Sequence, residues 1–304
     1  MKPLLLCSSS YEYLKTQMLL TGSFDDGKIE SKSFPDGERY HRILSEVEGH
    51  DAILVGGTID DRETMEIYDL ACALVQEGAV SLTQVIPYFG YSTMERAVKS
   101  GEIVKAKTRA LLFSSVPHTS RGNKIVLMDL HTEGLPHYFE AGIRPVHLYC
   151  KPVIIEAAKE LGGNDFVLAS TDAGRAKWVE SLANDMGVPA AFVYKRRISG
   201  SETQISGINA EVKGKHVVIY DDMIRTGGSL VEAANAYRNA GAAKVSVITT
   251  HGIFAGNAIE KLKNSKVIDQ VISTDTHPNT VALQCDFIRV KTVGPLLSEM
   301  LLKK

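Results

Sequence analysis

The strongest constraint on this chain is a rhythm: short apolar runs recur along its 304 residues, with longer helix-compatible stretches between them. Runs that are apolar at every position suit parallel strands covered by helices on both faces. Strands are expected at residues 4–6, 52–55, 82–88, 125–129, 166–169, 191–194, 217–220, 245–249 and 271–273. Helices are expected at 64–77, 103–113, 152–161, 176–186 and 229–240. The rhythm also repeats as a whole. His50-Asp51-Ala52-Ile53-Leu54-Val55, a loop, a helix ending at Gly78 and a run over 80–87 return as His216-Val217-Val218-Ile219-Tyr220, a loop, a helix ending at Gly241 and a run over 243–249. The offset of about 164 residues relates two copies of one βαβ unit and is long enough for one domain per copy. The expectation is an α/β protein of two duplicated domains, 1–147 and 148–304, each with a central, mainly parallel sheet flanked by helices.

Composition narrows the partners. Lysine and arginine total 34 against 36 acidic residues, a formal charge of -2. With no basic excess, a nucleic-acid or membrane-surface partner is not expected, and any anion site must be local. Cys7, Cys72, Cys150 and Cys285 lie far apart, in neither a metal-ligand spacing nor a small disulfide framework, which suits a reducing cytoplasm. The start, Met1-Lys2-Pro3-Leu4-Leu5-Leu6-Cys7, carries too short an apolar run for a signal peptide. No segment approaches the ~18 apolar residues a membrane span needs.

The two copies differ in their loops. The first reads Gly56-Gly57-Thr58-Ile59-Asp60-Asp61. The second reads Val217-Val218-Ile219-Tyr220-Asp221-Asp222-Met223-Ile224-Arg225-Thr226-Gly227-Gly228-Ser229-Leu230. Here an apolar strand is followed directly by two carboxylates, which can accept hydrogen bonds from the vicinal hydroxyls of a ribose. Thr226, Gly227, Gly228 and Ser229 then place hydroxyls and open backbone amides at a helix start, where the dipole and unpaired N–H groups favour a phosphate dianion. Arg225 adds a cation. An acidic pair capping the next element, beside an ordinary Gly-Gly turn, is the bland alternative; strand, acids, hydroxyl-glycine loop and helix together point to ribose 5-phosphate.

This string resembles the phosphoribosyl pyrophosphate signature of the type I phosphoribosyltransferase fold. By itself the resemblance leaves two reactions open, transfer of the ribosyl group to a base or synthesis of the pyrophosphorylated sugar. The remainder of the chain resembles the ribose-phosphate pyrophosphokinase family, and the likeness covers nearly all of it. Ser33-Phe34-Pro35-Asp36-Gly37-Glu38 looks like that family's nucleotide element, implying that Phe34 stacks on the adenine of ATP while Asp36 and Glu38 hydrogen-bond nearby. In the family this element reaches a neighbouring subunit, so a homo-oligomer is implied. A Pro-Asp-Gly turn between strands is compatible with that role.

Met128-Asp129-Leu130-His131 resembles the family's Asp-Leu-His motif, implying that His131 contacts the Mg2+ of the magnesium–nucleotide complex, with Asp172 as carboxylate partner. Magnesium usually keeps waters and shares substrate phosphates, so no protein cage is expected. Asp172, Ala173, Gly174 and Arg175 resemble the pyrophosphate loop. Lys195 and Arg197, in Tyr194-Lys195-Arg196-Arg197, resemble the catalytic flexible loop and are implied to stabilise the transferring group. His251, in Thr249-Thr250-His251-Gly252-Ile253-Phe254, is read as structural.

The chain departs from the commoner family pattern after Tyr91. Thr93 stands where regulated members carry an adenine-sandwiching arginine, and Arg96 is the candidate substitute. The run over 92–102 looks more like the plant-type class, and Glu48 replaces a phosphate-binding arginine, implying activity without added phosphate. The last helix is expected to pack back on the N-terminal domain. Two other readings stay open, a phosphoribosyltransferase of base salvage and a catalytically silent regulatory relative.

Overall fold

The computed structural model describes residues 2–197 and 203–303, with side chains undescribed for 194–197 and 203–206. The chain divides into two compact units, Met1–Tyr149 with Thr292–Lys304, and Cys150–Lys291. The second unit thus begins at Cys150, and the last thirteen residues belong to the first.

In chain order the first unit contains β1 (Leu4–Cys7), α1 (Glu12–Leu19), β2 (Asp25–Asp26), β3 (Ile29–Ser33), β4 (Arg39–Ile43), β5 (Asp51–Val55), α2 (Asp61–Gln76), β6 (Ser81–Ile86), α3 (Lys105–Ser114), β7 (Asn123–Met128) and β8 (Arg144–Leu148). The second contains α4 (Lys151–Gly162), β9 (Phe166–Ser170), α5 (Ala176–Met186), β10 (Ala190–Ala191), β11 (Val193–Arg197), β12 (Thr203–Ile208), β13 (His216–Ile224), α6 (Gly228–Asn239), β14 (Lys244–Gly252), α7 (Ala258–Asn264), β15 (Gln270–Thr274), α8 (Pro278–Ala282) and β16 (Ile288–Lys291). The chain ends with α9 (Gly294–Leu302), which packs on α1.

Each unit is built on a six-stranded parallel sheet, ordered β2-β1-β5-β6-β7-β8 in the first and β10-β9-β13-β14-β15-β16 in the second. The duplicated rhythm therefore folds as an α/β pair of sheets. Sequence chemistry explains the elements. In α2 the Asp60 carboxylate accepts from Glu63 N at 2.8 Å, and Asp61 and Glu63 add acid to the first turn. Ile67, Leu70, Ala71 and Leu74, at helical spacing, bury against Leu54 and Leu82 of the sheet. In the second unit Leu230, Ala233, Ala234 and Tyr237 of α6 do the same against Val217, Ile219, Val245 and Val247. The hairpins β3–β4 and β11–β12 stand outside both sheets. Among the described residues no helix is long and apolar enough to cross a membrane, and the four cysteines are free thiols.

Candidate active site

The ligand end of a parallel sheet is the carboxyl end of its strands, and in the second unit that end is chemically loaded. Asp221 and Asp222 were expected directly after a strand. They lie inside β13, because β14 runs on to Gly252 and holds them in register, Asp221 opposite Thr249. Embedding the pair in the ladder fixes its direction. Asp222 is 3% exposed and ion-paired with Arg175, while Thr171 Oγ1 lies 3.4 Å from Asp221 Oδ2. Burial, and then the neighbouring Asp222 charge, push the Asp221 carboxyl up to about 8; Arg175 opposes the shift. The pair is therefore hard to ionise fully, and a hydroxyl donor or a cation placed beside Asp221 would favour its carboxylate form.

The loop after β13 turns through Gly227, whose φ of +72° falls in the left-handed region. A side chain there would also come within 2.9 Å of Leu262 on α7. Val231 N is the first amide of α6 bonded back along the chain, to Gly227 O, so the amides before it face a cleft of about 220 Å3. Asp221 and residues 223–230 line this cleft, which brings Asp221, Arg225, Thr226, Gly227, Gly228 and Ser229 together. Lys261 joins them unannounced: its Nζ lies 3.2 Å from the position a Cβ on Gly228 would occupy. No sequence signal marks it, because it comes from the exposed face of α7, a helix that only the fold brings to the loop.

Asp172 caps the short 3-10 turn Ala173–Arg175, its Oδ1 accepting from Gly174 N at 2.8 Å. One carboxylate oxygen is thereby committed to shaping the loop. Tyr237 OH donates to Ser170 O and Ser170 Oγ to Asp172 O, which ties this loop to α6. Lys195 and Arg197 lie on β11, their backbones opposite Ile205 and Thr203 of β12; their side chains lie outside the described residues.

In the first unit Phe34 caps the β3–β4 hairpin. It is 49% exposed, meets Tyr40 edge-on at 6.4 Å, and its N–H donates to Glu38 O. Asp36 Oδ1 accepts from Glu38 N at 3.0 Å and Gly37 takes φ +94°, a turn in which Asp36 and Glu38 are both exposed. His131 follows β7 through Asp129, which is buried at φ +34°. Arg96 is exposed with Glu95 as neighbour at 3.6 Å, so within the described residues it is not built into a pocket. Three or more His, Cys, Asp or Glu placed to hold one metal do not occur among the described residues.

Comparison with known proteins decides the family. Residues 4–116 match the N-terminal domain of ribose phosphate pyrophosphokinase, and 183–303 match a phosphoribosyl synthetase-associated domain. A ribose-phosphate pyrophosphokinase of Caldanaerobacter subterraneus is 33% identical over 90% of this chain and 85% of that protein. One from Thermococcus kodakarensis is 35% identical over 84% of this chain and 88% of its own length. The chain belongs to the ribose-phosphate pyrophosphokinase family. A crystal structure of phosphoribosylpyrophosphate synthetase from Mycobacterium smegmatis superposes with a TM-score of 0.85 at 27% identity, covering 98% of this chain and 97% of that one. Both units of this chain thus have counterparts in the pyrophosphokinase family.

Proposed function

We propose that this enzyme transfers the β,γ-diphosphoryl group of ATP to the 1-hydroxyl of ribose 5-phosphate, giving 5-phosphoribosyl 1-pyrophosphate and AMP. Full-length similarity to named pyrophosphokinases carries the reaction, and the β13–α6 cleft carries the acceptor. Asp221 and Asp222 receive the ribose hydroxyls, and the amides and hydroxyls of 226–229 with Arg225 hold the 5-phosphate. A dianion at the start of α6 is stabilised by unpaired N–H groups and the helix dipole.

The anomeric hydroxyl attacks the β-phosphorus and AMP leaves, with no covalent enzyme intermediate. Charge grows on the nonbridging oxygens, where Lys195 and Arg197 act. Asp172, Ala173, Gly174 and Arg175 border the incoming diphosphoryl group. Phe34, Asp36, Glu38 and Arg96 serve the nucleotide, and the exposure of Phe34 at a hairpin tip fits a surface shared between subunits of a homo-oligomer. The donor set suits magnesium: Asp172 keeps one oxygen beyond its bond to Gly174 N, and a hard cation of this kind completes its shell with phosphates and water. Asp172 in the second unit and, separately, His131 in the first would each offer magnesium a ligand, and when bound the ion would neutralise charge on the nucleotide phosphates.

With Thr93 and Glu48 in place of arginines, the enzyme should work without added phosphate. The test is AMP formation in phosphate-free buffer. The reading requires dependence on ribose 5-phosphate, ATP and magnesium together; consumption of the pyrophosphorylated sugar with a free base instead would replace it with base salvage.

A further inference from the structure

Beyond the cleft, the carboxyl ends of β14 and β15 carry a buried cluster that the reaction does not use. Thr250, His251, Thr274, Thr276 and Thr280 are each at most 2% exposed. Thr274 and Thr276 both donate to Thr250 O, at 2.6 and 2.8 Å, and His251 Nδ1 lies 2.9 Å from Thr276 Oγ1. Thr280 Oγ1 donates to Gly252 O at 3.0 Å, and Asn279 Nδ2 to Ile253 O at 2.8 Å. So much buried polarity is costly unless every group is bonded in one geometry.

The geometry it imposes is strained. Gly252 has no room for a Cβ, which would lie 2.4 Å from Thr280 Oγ1 and 2.5 Å from Ser273 Oγ. Phe254, 3% exposed, is held at φ +45°, a left-handed backbone that costs a non-glycine residue about 1 kcal/mol. This strained segment is also the platform of the phosphate loop. Ile253 N and Phe254 N both donate to Ile224 O, at 3.1 and 3.0 Å, and Ala255 N donates to Arg225 O at 2.8 Å. The loop that lines the cleft therefore rests on backbone whose shape is dictated by side chains of β15 and α8.

We propose that the Thr280–Gly252 and Asn279–Ile253 contacts, backed by Thr276–His251, are a positioning device for ribose 5-phosphate: they hold the strained Gly252–Ala255 turn so that the carbonyls of Ile224 and Arg225, and the phosphate loop with them, keep the spacing the sugar phosphate needs. Thr280 and Asn279 are positioning residues and touch no substrate. The inference rests on the assignment of the 221–229 loop to ribose 5-phosphate. A site must be held to about 0.5 Å to bind fully, so loosening the platform weakens sugar binding and spares the rest.

The test is steady-state kinetics of Thr280→Val, Thr280→Ser and Asn279→Ala. Thr280→Val, which removes the bond to Gly252 O at almost constant volume, should raise KM for ribose 5-phosphate about fivefold or more, as expected for one lost buried hydrogen bond. Neither kcat nor KM for ATP should follow, and Thr280→Ser should restore the wild-type value. Asn279 is at the surface, so Asn279→Ala tests the same segment without endangering the fold and should raise the same KM to a lesser degree. An unchanged ribose 5-phosphate KM in folded Thr280→Val, or in Asn279→Ala should the valine variant not fold, overturns the inference; so does an equal change in kcat and ATP KM. Asp221→Asn separates the two claims: if it leaves ribose 5-phosphate binding intact the loop assignment itself falls, whereas a strong effect there with none at Thr280 and Asn279 removes only the platform.

Discussion

Replacing Asp221 by asparagine should make the enzyme more stable and bind its sugar less well, and both effects can be sized from the structure. The folded state lifts the Asp221 carboxyl from 3.8 to about 8, chiefly by burial and next through Asp222. A pKa raised on folding marks a carboxylate that is less favourable in the folded chain than in the unfolded one. The penalty is absent below the unfolded value, grows as pH climbs from about 4 to 8, and is complete above that. At about 1.4 kcal/mol per pH unit the ceiling is roughly 6 kcal/mol. The asparagine amide must itself be bonded in a half-buried site, at about 1–3 kcal/mol, and Arg175 loses part of its anionic surroundings. A net gain of about 3 kcal/mol at pH 8.5 remains, which for a unit of this size is roughly 6 °C or more in Tm. Thermal unfolding of both proteins at pH 4 and pH 8.5 reads the difference, which should change sign at the lower pH, where the variant keeps only the amide's cost of about 1–3 kcal/mol. Calorimetric titration at pH 8.5, where the carboxylate is ionised, should show ribose 5-phosphate binding weakened about tenfold or more, as for one charge-assisted hydrogen bond. A variant no more stable than wild type at pH 8.5, or one whose stability difference is the same at both pH values, would refute the reasoning. Such an exchange of stability for binding is what a functional carboxylate pair should display.

Lys261→Ala should raise KM for ribose 5-phosphate several-fold with little change in kcat, since its ammonium stands beside Gly228 at the phosphate end of the cleft; an unchanged KM would remove it from the site. Gln84 lies fully buried on β6 with neither amide atom bonded, so Gln84→Met, of similar shape, should stabilise by about 1–3 kcal/mol, and a lower Tm would contradict that. His277 is pushed down to about 4 by burial and by neighbouring His251, while its Nδ1 accepts from Asn279 N to cap α8. Its depressed pKa gives stability that is present above pH 6.5 and lost as pH falls towards 4, roughly 3 kcal/mol in all. His277→Asn keeps a capping acceptor and should flatten the pH dependence of unfolding in that window; an unaltered acid profile would refute the assignment.

What the sequence revealed, and what it hid, follows from where each residue meets solvent. Strands buried on both faces announce themselves as apolar runs, so 52–55 and 166–169 were legible almost to the residue. The β3–β4 hairpin was legible only at its Pro35-Asp36-Gly37 turn, because the half-buried face of Arg39–Ile43 carries Arg39 and His41 against Glu66 and leaves no apolar alternation to read. Strand ends failed differently. The apolar signal stops at Tyr220, yet β13 continues to Ile224, since backbone pairing with β14 does not require apolar side chains. That extension matters most for function, because it turns two loop acids into two ladder-held acids, one of them 3% exposed.

Motif and placement carry different information about the cleft. The string from Asp221 to Ser229 encodes the groups a ribose phosphate needs, but spacing alone cannot encode the groups that shape it. Lys261 reaches the loop from α7, Arg175 meets Asp222 from the turn after β9, and Thr280 fixes Gly252 from α8. None lies near the motif in sequence; Lys261 and Thr280 are ordinary residues in their own stretches, and Arg175, read there as part of the pyrophosphate loop, gives no sign that it pairs with Asp222. His251 shows the same limit from the other side: its structural reading fits its burial and its bond to Thr276, but that structural place puts it in the network under the phosphate loop. In this parallel sheet, then, the sugar-phosphate motif sits on one strand end and its following loop, whereas the residues that complete it or hold it in place come from neighbouring strands and helices, which only the fold brings alongside.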